Sequence, residues 1–260
     1  MVPRPLGLAL LLGVWASSGC GQALPPHGRQ LLLRSYDACR QAEYSEVVRH
    51  TDRFLREFRR GPRQDEALYL RGYAYAKLVE PTKAQADLRQ AFNRSSHSEL
   101  KAKASLALAE LALEAADAAT AEQWYRASLS LEDRRGPADR AYFQLGVLLQ
   151  QQGRWHEADI QFSRLVFFFE REAVARLARD RMQCRAWTIQ AGCFEDRVRA
   201  EGLAARLTRE GLAASAAPVL TAGRLVYAVQ VGRHAMYEQA RAELAGVARH
   251  AEGAVVAATR

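Results

Sequence analysis

At 260 residues, 49% of them apolar and 25% charged, the chain has the composition of a folded protein with room for two domains. Its formal charge of +8 favours anionic cell-surface polymers or nucleic acid, but arginine-rich solvated helices give the same excess. No run of Arg and Lys interleaved with aromatics marks a nucleic-acid groove, so nucleic acid is not an expected partner.

The N-terminal stretch MVPRPLGLALLLGVWASSGCGQ has one positive residue, Arg4, then an apolar run from Leu6 to Trp15, then small residues. It reads as a secretory signal over residues 1–19, too short to span a bilayer comfortably. Its end, Ser17-Ser18-Gly19-Cys20, resembles a bacterial lipobox: Ser18 and Gly19 fit, while Ser17 stands where Leu is usual. The resemblance implies that Cys20 is diacylated and becomes the new N-terminus, with residues 20–27 as lipid anchor and tether. Gly21, rather than Asp, then implies an outer-membrane destination. The alternative is ordinary cleavage after Ala23, giving a soluble secreted protein. Three further cysteines remain, Cys39, Cys184 and Cys193, without the spacing of a metal site or a redox pair. An extended run between Cys184 and Cys193 spans about 23 Å, too far for a disulfide, and all three read as small buried residues.

From about 28 to 165 the chain repeats itself every 37 residues. Val47, Ala84, Ala121 and Ala158 share one frame, and on it small residues recur at Ser35, Gly72, Ala109 and Gly146. Ala38, Tyr75, Ala112 and Leu149 follow three positions on; Thr51, Leu88, Tyr125 and Phe162 return in the second half of each unit. A period of this size, with small residues where helices cross, predicts a helical solenoid. The pattern resembles the tetratricopeptide repeat, best in Tyr142, Leu145, Gly146, Leu149, Ala158 and Phe162. The resemblance implies an α solenoid of four units over residues 28–184 whose groove holds an unidentified protein partner. Each join carries about three extra residues, as in the RRGP turns at 59–62 and 134–137, where proline breaks the preceding helix. Beyond Val166, Phe168, Phe169, Ala173 and Leu177 predict one face of a capping helix that closes the solenoid.

From 186 the hydrophobic period becomes two. AWTIQAGCF (186–194) predicts a strand, Arg197 to Glu210 a helix stopped at Gly211, and Ala217 to Leu220 a strand turning at Ala222-Gly223. The plan repeats with a strand from Leu225 to Val231, a helix from Met236 to Ala248 and a strand from Ala254 to Ala257. A shift of 40 superimposes Trp187 on Tyr227, Gln190 on Gln230, Gly192 on Gly232 and Ala200 on Ala240. The expected fold of 185–260 is α+β: β-α-β-β-α-β, a four-stranded antiparallel sheet with both helices on one face.

The motif Ile189-Gln190-Ala191-Gly192-Cys193-Phe194, with Tyr227-Ala228-Val229-Gln230-Val231-Gly232 in the second half, resembles the opening strands of a SPOR domain. The resemblance implies a module that binds peptidoglycan glycan strands, particularly strands stripped of stem peptides at the division septum. The chain departs from the pattern at Cys193, where Ser or Ala is usual, at Ala228, where Arg is usual, and at Arg233-His234, in place of Pro-Phe. Alternation predicts Trp187, Ile189, Tyr227, Val229 and Val231 in the core, and Thr188, Gln190, Ala228 and Gln230 together on the open face. A neutral polysaccharide needs neutral donors and acceptors, which a glutamine amide supplies. The candidate glycan-binding residues are Gln190, Thr188, Gln230 and Cys193; the alternative for each is a solvated or structural strand position.

The scattered histidines and the absence of recognisable nucleophile, metal or phosphate-loop motifs predict a protein that is not an enzyme and needs no cofactor or metal. The expectation is an outer-membrane lipoprotein facing the periplasm, septum-enriched, with peptidoglycan, a protein in the repeat groove and the membrane as partners. The alternative is a periplasmic envelope-assembly or chaperone-like adaptor acting through its repeats, with a degenerate C-terminal domain.

Overall fold

The computed structural model describes residues 23–131, 134, 137–221 and 223–259. The expected signal segment, Cys20 with its lipid anchor, and Ala222 of the expected turn lie outside the described residues. The chain divides into two compact units between Ala138 and Asp139.

The first unit holds three helical pairs: α1 (Pro26–Arg40) with α2 (Tyr44–Glu57), α3 (Gln64–Lys77) with α4 (Pro81–Arg94), and α5 (Ser98–Glu114) with α6 (Ala118–Leu131). The 37-residue frame is the packing frame. Val47, Ala84 and Ala121 are completely buried, as are Thr51, Leu88 and Tyr125. Small residues sit where the two helices of a pair approach. A Cβ on Gly72 would lie 2.9 Å from Leu88 Cγ and 3.1 Å from Asp87 Cβ, so the α3–α4 crossing needs glycine. Buried hydroxyls at the crossings satisfy themselves locally: Ser35 Oγ donates to the Leu31 carbonyl at 2.9 Å, and Thr51 Oγ1 to that of Val47 at 2.7 Å.

The turn within each pair recurs on the same period. Ala42 (φ 58°), Val79 (φ 60°), Ala116 (φ 58°) and Gly153 (φ 76°) are all left-handed. At each, the next residue's N–H bonds back five residues: Glu43 to Ala38, Glu80 to Tyr75, Asp117 to Ala112 and Arg154 to Leu149, at 2.8–2.9 Å. This is the Schellman closure of a helix, which glycine fits and a β-branched residue resists. Val79 is 84% exposed and so has little packing to lose. Val79→Gly is therefore expected to stabilise the first unit by about 1 kcal/mol, read as a higher melting temperature; an unchanged or lower one refutes the strain.

The second unit begins with the fourth helical pair, α7 (Ala138–Gln151) and α8 (Trp155–Phe168), followed by α9 (Ala173–Arg181). A Cβ on Gly146 would lie 2.5 Å from the Phe162 ring, the closest approach at any crossing. The predicted capping helix exists but is shorter and differently faced. Phe168 ends α8, Phe169 closes it with its N–H on the Leu165 carbonyl, and α9 buries Ala175 and Ala178 while Leu177 stays exposed.

The sheet follows as β1 (Ala186–Phe194), β2 (Ala214–Thr221), β3 (Arg224–His234) and β4 (Val255–Thr259), in the order β2-β3-β1-β4 and antiparallel throughout. Helices α10 (Arg197–Arg209) and α11 (Tyr237–Ala248) cover one face. Trp187, Ile189, Ala191, Val229 and Val231 pack there against Ala200, Ala204, Leu207, Ala240 and Val247. Asp196 caps α10 by accepting from the Arg199 N–H at 2.9 Å, and Gly211 (φ 84°) ends it.

Candidate functional site

The open face of the sheet carries every polar side chain that the strand motif singled out. Its centre is Gln190, paired directly with Gln230 across β1 and β3. A shift of 40 converts one into the other, so the pair lies on the pseudo-twofold axis relating the two β-α-β halves. The same shift converts the pair Trp187–His234 into Tyr227–Phe194, and both pairs are present. Each half thus contributes equivalent groups to one face.

Two irregularities of register decide what that face presents. Between Gln190 and Gly192, β1 holds one residue more than β3; between Trp187 and Ile189, β3 holds one more than β1. These are bulges, and each flips the alternation beyond it. Strict alternation from Gln190 would send Cys193 towards the helices. The bulge at Ala191-Gly192 instead sets Cys193 opposite Ala228, exposed, while Phe194 packs into the core. The expectation that all three cysteines are buried therefore fails at Cys193 and holds at Cys39 and Cys184.

Glycine marks both bulges. At Gly232 φ is +69°, and an added Cβ would lie 2.5 Å from His234 Nε2; at Gly192 it would lie 2.9 Å from the Phe194 ring. His234 occupies the place of Phe194 in the other half. Its Nε2 is buried without a hydrogen bond, 3.6 Å from a Glu243 carboxylate oxygen.

Thr188 is oriented as alternation predicts but offers nothing to a ligand. It is 1% exposed, and its hydroxyl reaches the carbonyls of Val231 (3.2 Å) and Gly232 (2.9 Å) in the bulge of β3. Ala228 is 2% exposed and has no polar side-chain atom. The half-buried Gln190 and Gln230 retain their amides, Gln230 Nε2 lying 3.4 Å from Thr259 Oγ1.

The neighbouring strands extend this row. Ser215 on β2 faces Gln230 and is exposed, and Val255 on β4 faces Gln190. Ser215, Gln230 and Gln190 thus form a neutral strip of hydroxyl and amides across three strands, bordered by apolar Val255 on β4, and Thr259, opposite Ala186, joins it through Gln230. Ser215 is the one polar residue in ASAAPVL and lies outside the expected strand because β2 starts at Ala214, three residues before Ala217. Trp187, Phe194 and Tyr227 all pack toward the helices, so the strip can bind through hydrogen bonds rather than ring stacking. Among the described residues no group of His, Cys, Asp or Glu could hold a metal ion, and no helix is long and apolar enough to cross a membrane.

Comparison with known proteins agrees with this geometry. Residues 185–257 match the family model of the SPOR domain. Among curated proteins none matches the chain. The helical part is similar to a tetratricopeptide repeat protein from Parabacteroides merdae (16% identity, TM-score 0.51), covering 60% of this chain and 59% of that one. It is also similar to RapI in its apo form (14% identity, TM-score 0.50), covering 61% and 60%. The chain spans about three fifths of each, and at such identities the likeness is one of fold. A SPOR domain implies peptidoglycan binding and a place in the cell envelope. The chain carries a SPOR domain over residues 185–257, preceded by helical repeats of the tetratricopeptide type.

Proposed function

We propose that this is a periplasm-facing outer-membrane lipoprotein, anchored through Cys20, whose SPOR domain grips denuded septal glycan while the repeats scaffold a protein partner. The observation that carries the reading is the Gln190–Gln230 pair at the centre of the open face, extended by Ser215 and Thr259. An uncharged sugar strand bearing hydroxyls and acetamides needs such a strip, where each group both donates and accepts. Cys193 borders the strip as an exposed thiol, a weaker hydrogen-bonding group than a serine at that position, where Ser or Ala is usual. Thr188 serves the site indirectly, by holding the bulge of β3 with its hydroxyl.

The test is co-sedimentation of the chain from Gly21 onward with sacculi, intact or treated with amidase to strip stem peptides. Stronger binding to treated sacculi is expected; equal binding to both, or none, refutes the preference for denuded strands. Gln190→Ala should weaken binding roughly tenfold, the worth of one or two hydrogen bonds, with an unchanged melting temperature. An unaltered affinity would remove Gln190 from the site. Labelling with radioactive palmitate, abolished by Cys20→Ser, tests the anchor.

A second reading rests on Ala228, buried where the family pattern has Arg: a degenerate domain on an adaptor that works through its repeats. A fluorescent fusion separates the two. The first reading expects a midcell band that depends on residues 186–257, the second a uniform periphery.

A further inference from the structure

The turns between helical pairs in the first unit gather arginine around an open cleft of about 640 Å³. Arg59, Arg60 and Arg63 come from the α2–α3 turn and Arg94 from the end of α4, with Ser96 beside it. Two of the guanidinium groups are positioned: Arg63 Nη2 donates to Glu66 at 2.6 Å, and Arg94 Nη1 to Gln64 Oε1 at 2.7 Å. Arg59 and Arg60 are exposed and have no carboxylate partner among the described residues. Four guanidinium groups thus meet two carboxylates, Glu66 and the cleft-lining Asp65, which leaves a site of net positive charge.

The start of the described chain is seated on the same turn. Leu24 is buried, and an added Cβ on Gly28 would touch both Leu24 (2.9 Å) and the Phe58 ring (3.1 Å). His27 Nε2 lies 3.0 Å from Glu57, and the Phe58 carbonyl accepts from Gln64 Nε2 at 2.6 Å. Phe58 immediately precedes Arg59. Only three residues separate Cys20 from Leu24, about 14 Å at full extension, so an acyl chain on Cys20 would enter a bilayer beside this edge.

We infer that the arginine-lined cleft binds the phosphates of anionic phospholipid headgroups. Guanidinium forks match phosphate oxygens two at a time, and each basic residue beside an anionic membrane surface adds about 1 kcal/mol of attraction. The inference takes its location from the lipoprotein reading, but the cleft can be tested without an acyl chain. Palmitate labelling reports failure of the anchor; vesicle binding reports failure of the cleft.

The experiment is co-sedimentation of the chain from Gly21 onward, which holds every helix and strand of the structure, with phosphatidylcholine vesicles with or without phosphatidylglycerol. Binding is expected only with phosphatidylglycerol, and only at low salt. The double variant Arg59→Ala/Arg60→Ala should weaken it about thirtyfold, on the worth of a basic residue at an anionic surface, with unaltered melting because neither side chain is packed. Equal binding to neutral vesicles, no binding, or full binding by the double variant overturns the inference. So does capture of a polyglutamate peptide in place of the vesicles, lost in the same variant, which would assign the cleft to an acidic protein.

Discussion

Trp187→Ala is expected to destabilise the second unit by about 3–5 kcal/mol and to abolish glycan binding with it. Trp187 is 3% exposed at the start of β1, and its surroundings come from the helical repeats as well as the sheet domain. The indole Nε1–H donates to the main-chain carbonyl of Gln150 at 2.9 Å, near the end of α7. Its ring lies 5.6 Å from Trp155, the first residue of α8, and meets Tyr237 of α11 edge-on at 5.1 Å. Truncation removes two aromatic contacts and one of two donors to the Gln150 carbonyl, which keeps the Gly153 N–H at 2.9 Å. Trp187→Phe keeps much of the packing and loses only the hydrogen bond, so its effect should be smaller, about 1–2 kcal/mol. Thermal unfolding of both variants checks the order; equal effects would mean that the ring contributes nothing.

Around Trp187 the fourth repeat and the sheet are joined by a set of polar contacts as well. The buried Gln150 side chain donates to the Arg181 carbonyl at 2.8 Å and accepts from the Arg181 guanidinium at 3.2 Å. Asp159 receives Arg185 at 2.8 Å and the Gln183 N–H at 3.0 Å, just ahead of β1. An added Cβ on Gly153, in the α7–α8 turn, would lie 3.0 Å from the Ala235 carbonyl between β3 and α11. The cell-wall module is thus a sheet with a helical buttress. A fragment begun at Asp139 keeps that buttress, whereas one begun at Arg185 exposes Trp187 and must melt lower.

What the sequence discloses and what it conceals follow from the range of the interactions concerned. The 37-residue frame is local chemistry: small residues at Gly72 and Gly146 and large ones at Leu88 and Phe162 reveal the crossings without any knowledge of the fold. The left-handed turns at Ala42, Val79 and Ala116 are concealed, because only Gly153 spells the conformation in its residue type. Alternation reveals Trp187, Ile189, Val229 and Val231 as core. It misplaces Cys193 because a bulge adds a residue to one strand only, which depends on pairing with β3, and it cannot show that the second bulge, in β3, consumes the Thr188 hydroxyl. The change of hydrophobic period at 186 marks where strands begin, while Trp155 and Trp187 meet through packing between residues 32 positions apart, on which no periodic pattern bears.

Arg71→Ala should destabilise the first unit by about 3 kcal/mol or more, the largest loss expected there from a single polar side chain. Arg71, on α3, makes a two-pronged contact with Asp87 on α4 (Nε to Oδ2 2.6 Å, Nη2 to Oδ1 2.8 Å) and a third bond to Asp52 on α2 (2.6 Å). The two acids are unequal. The Asp52 side chain is 39% exposed and can turn to water, so its share is small; that of Asp87 is 6% exposed and cannot. Removing Arg71 therefore strands a buried carboxylate, and most of the loss is that penalty rather than the attraction forgone. The pair Arg71→Met with Asp87→Leu separates the two: Leu branches where Asp does, so the close approach of Gly72 to the Asp87 Cβ is preserved. Near-parent stability of the double variant would show that the ion pair serves to align the two helices of this pair rather than to hold them. A double variant as unstable as Arg71→Ala would show instead that attraction itself stabilises the junction, since no buried charge would remain unpaired.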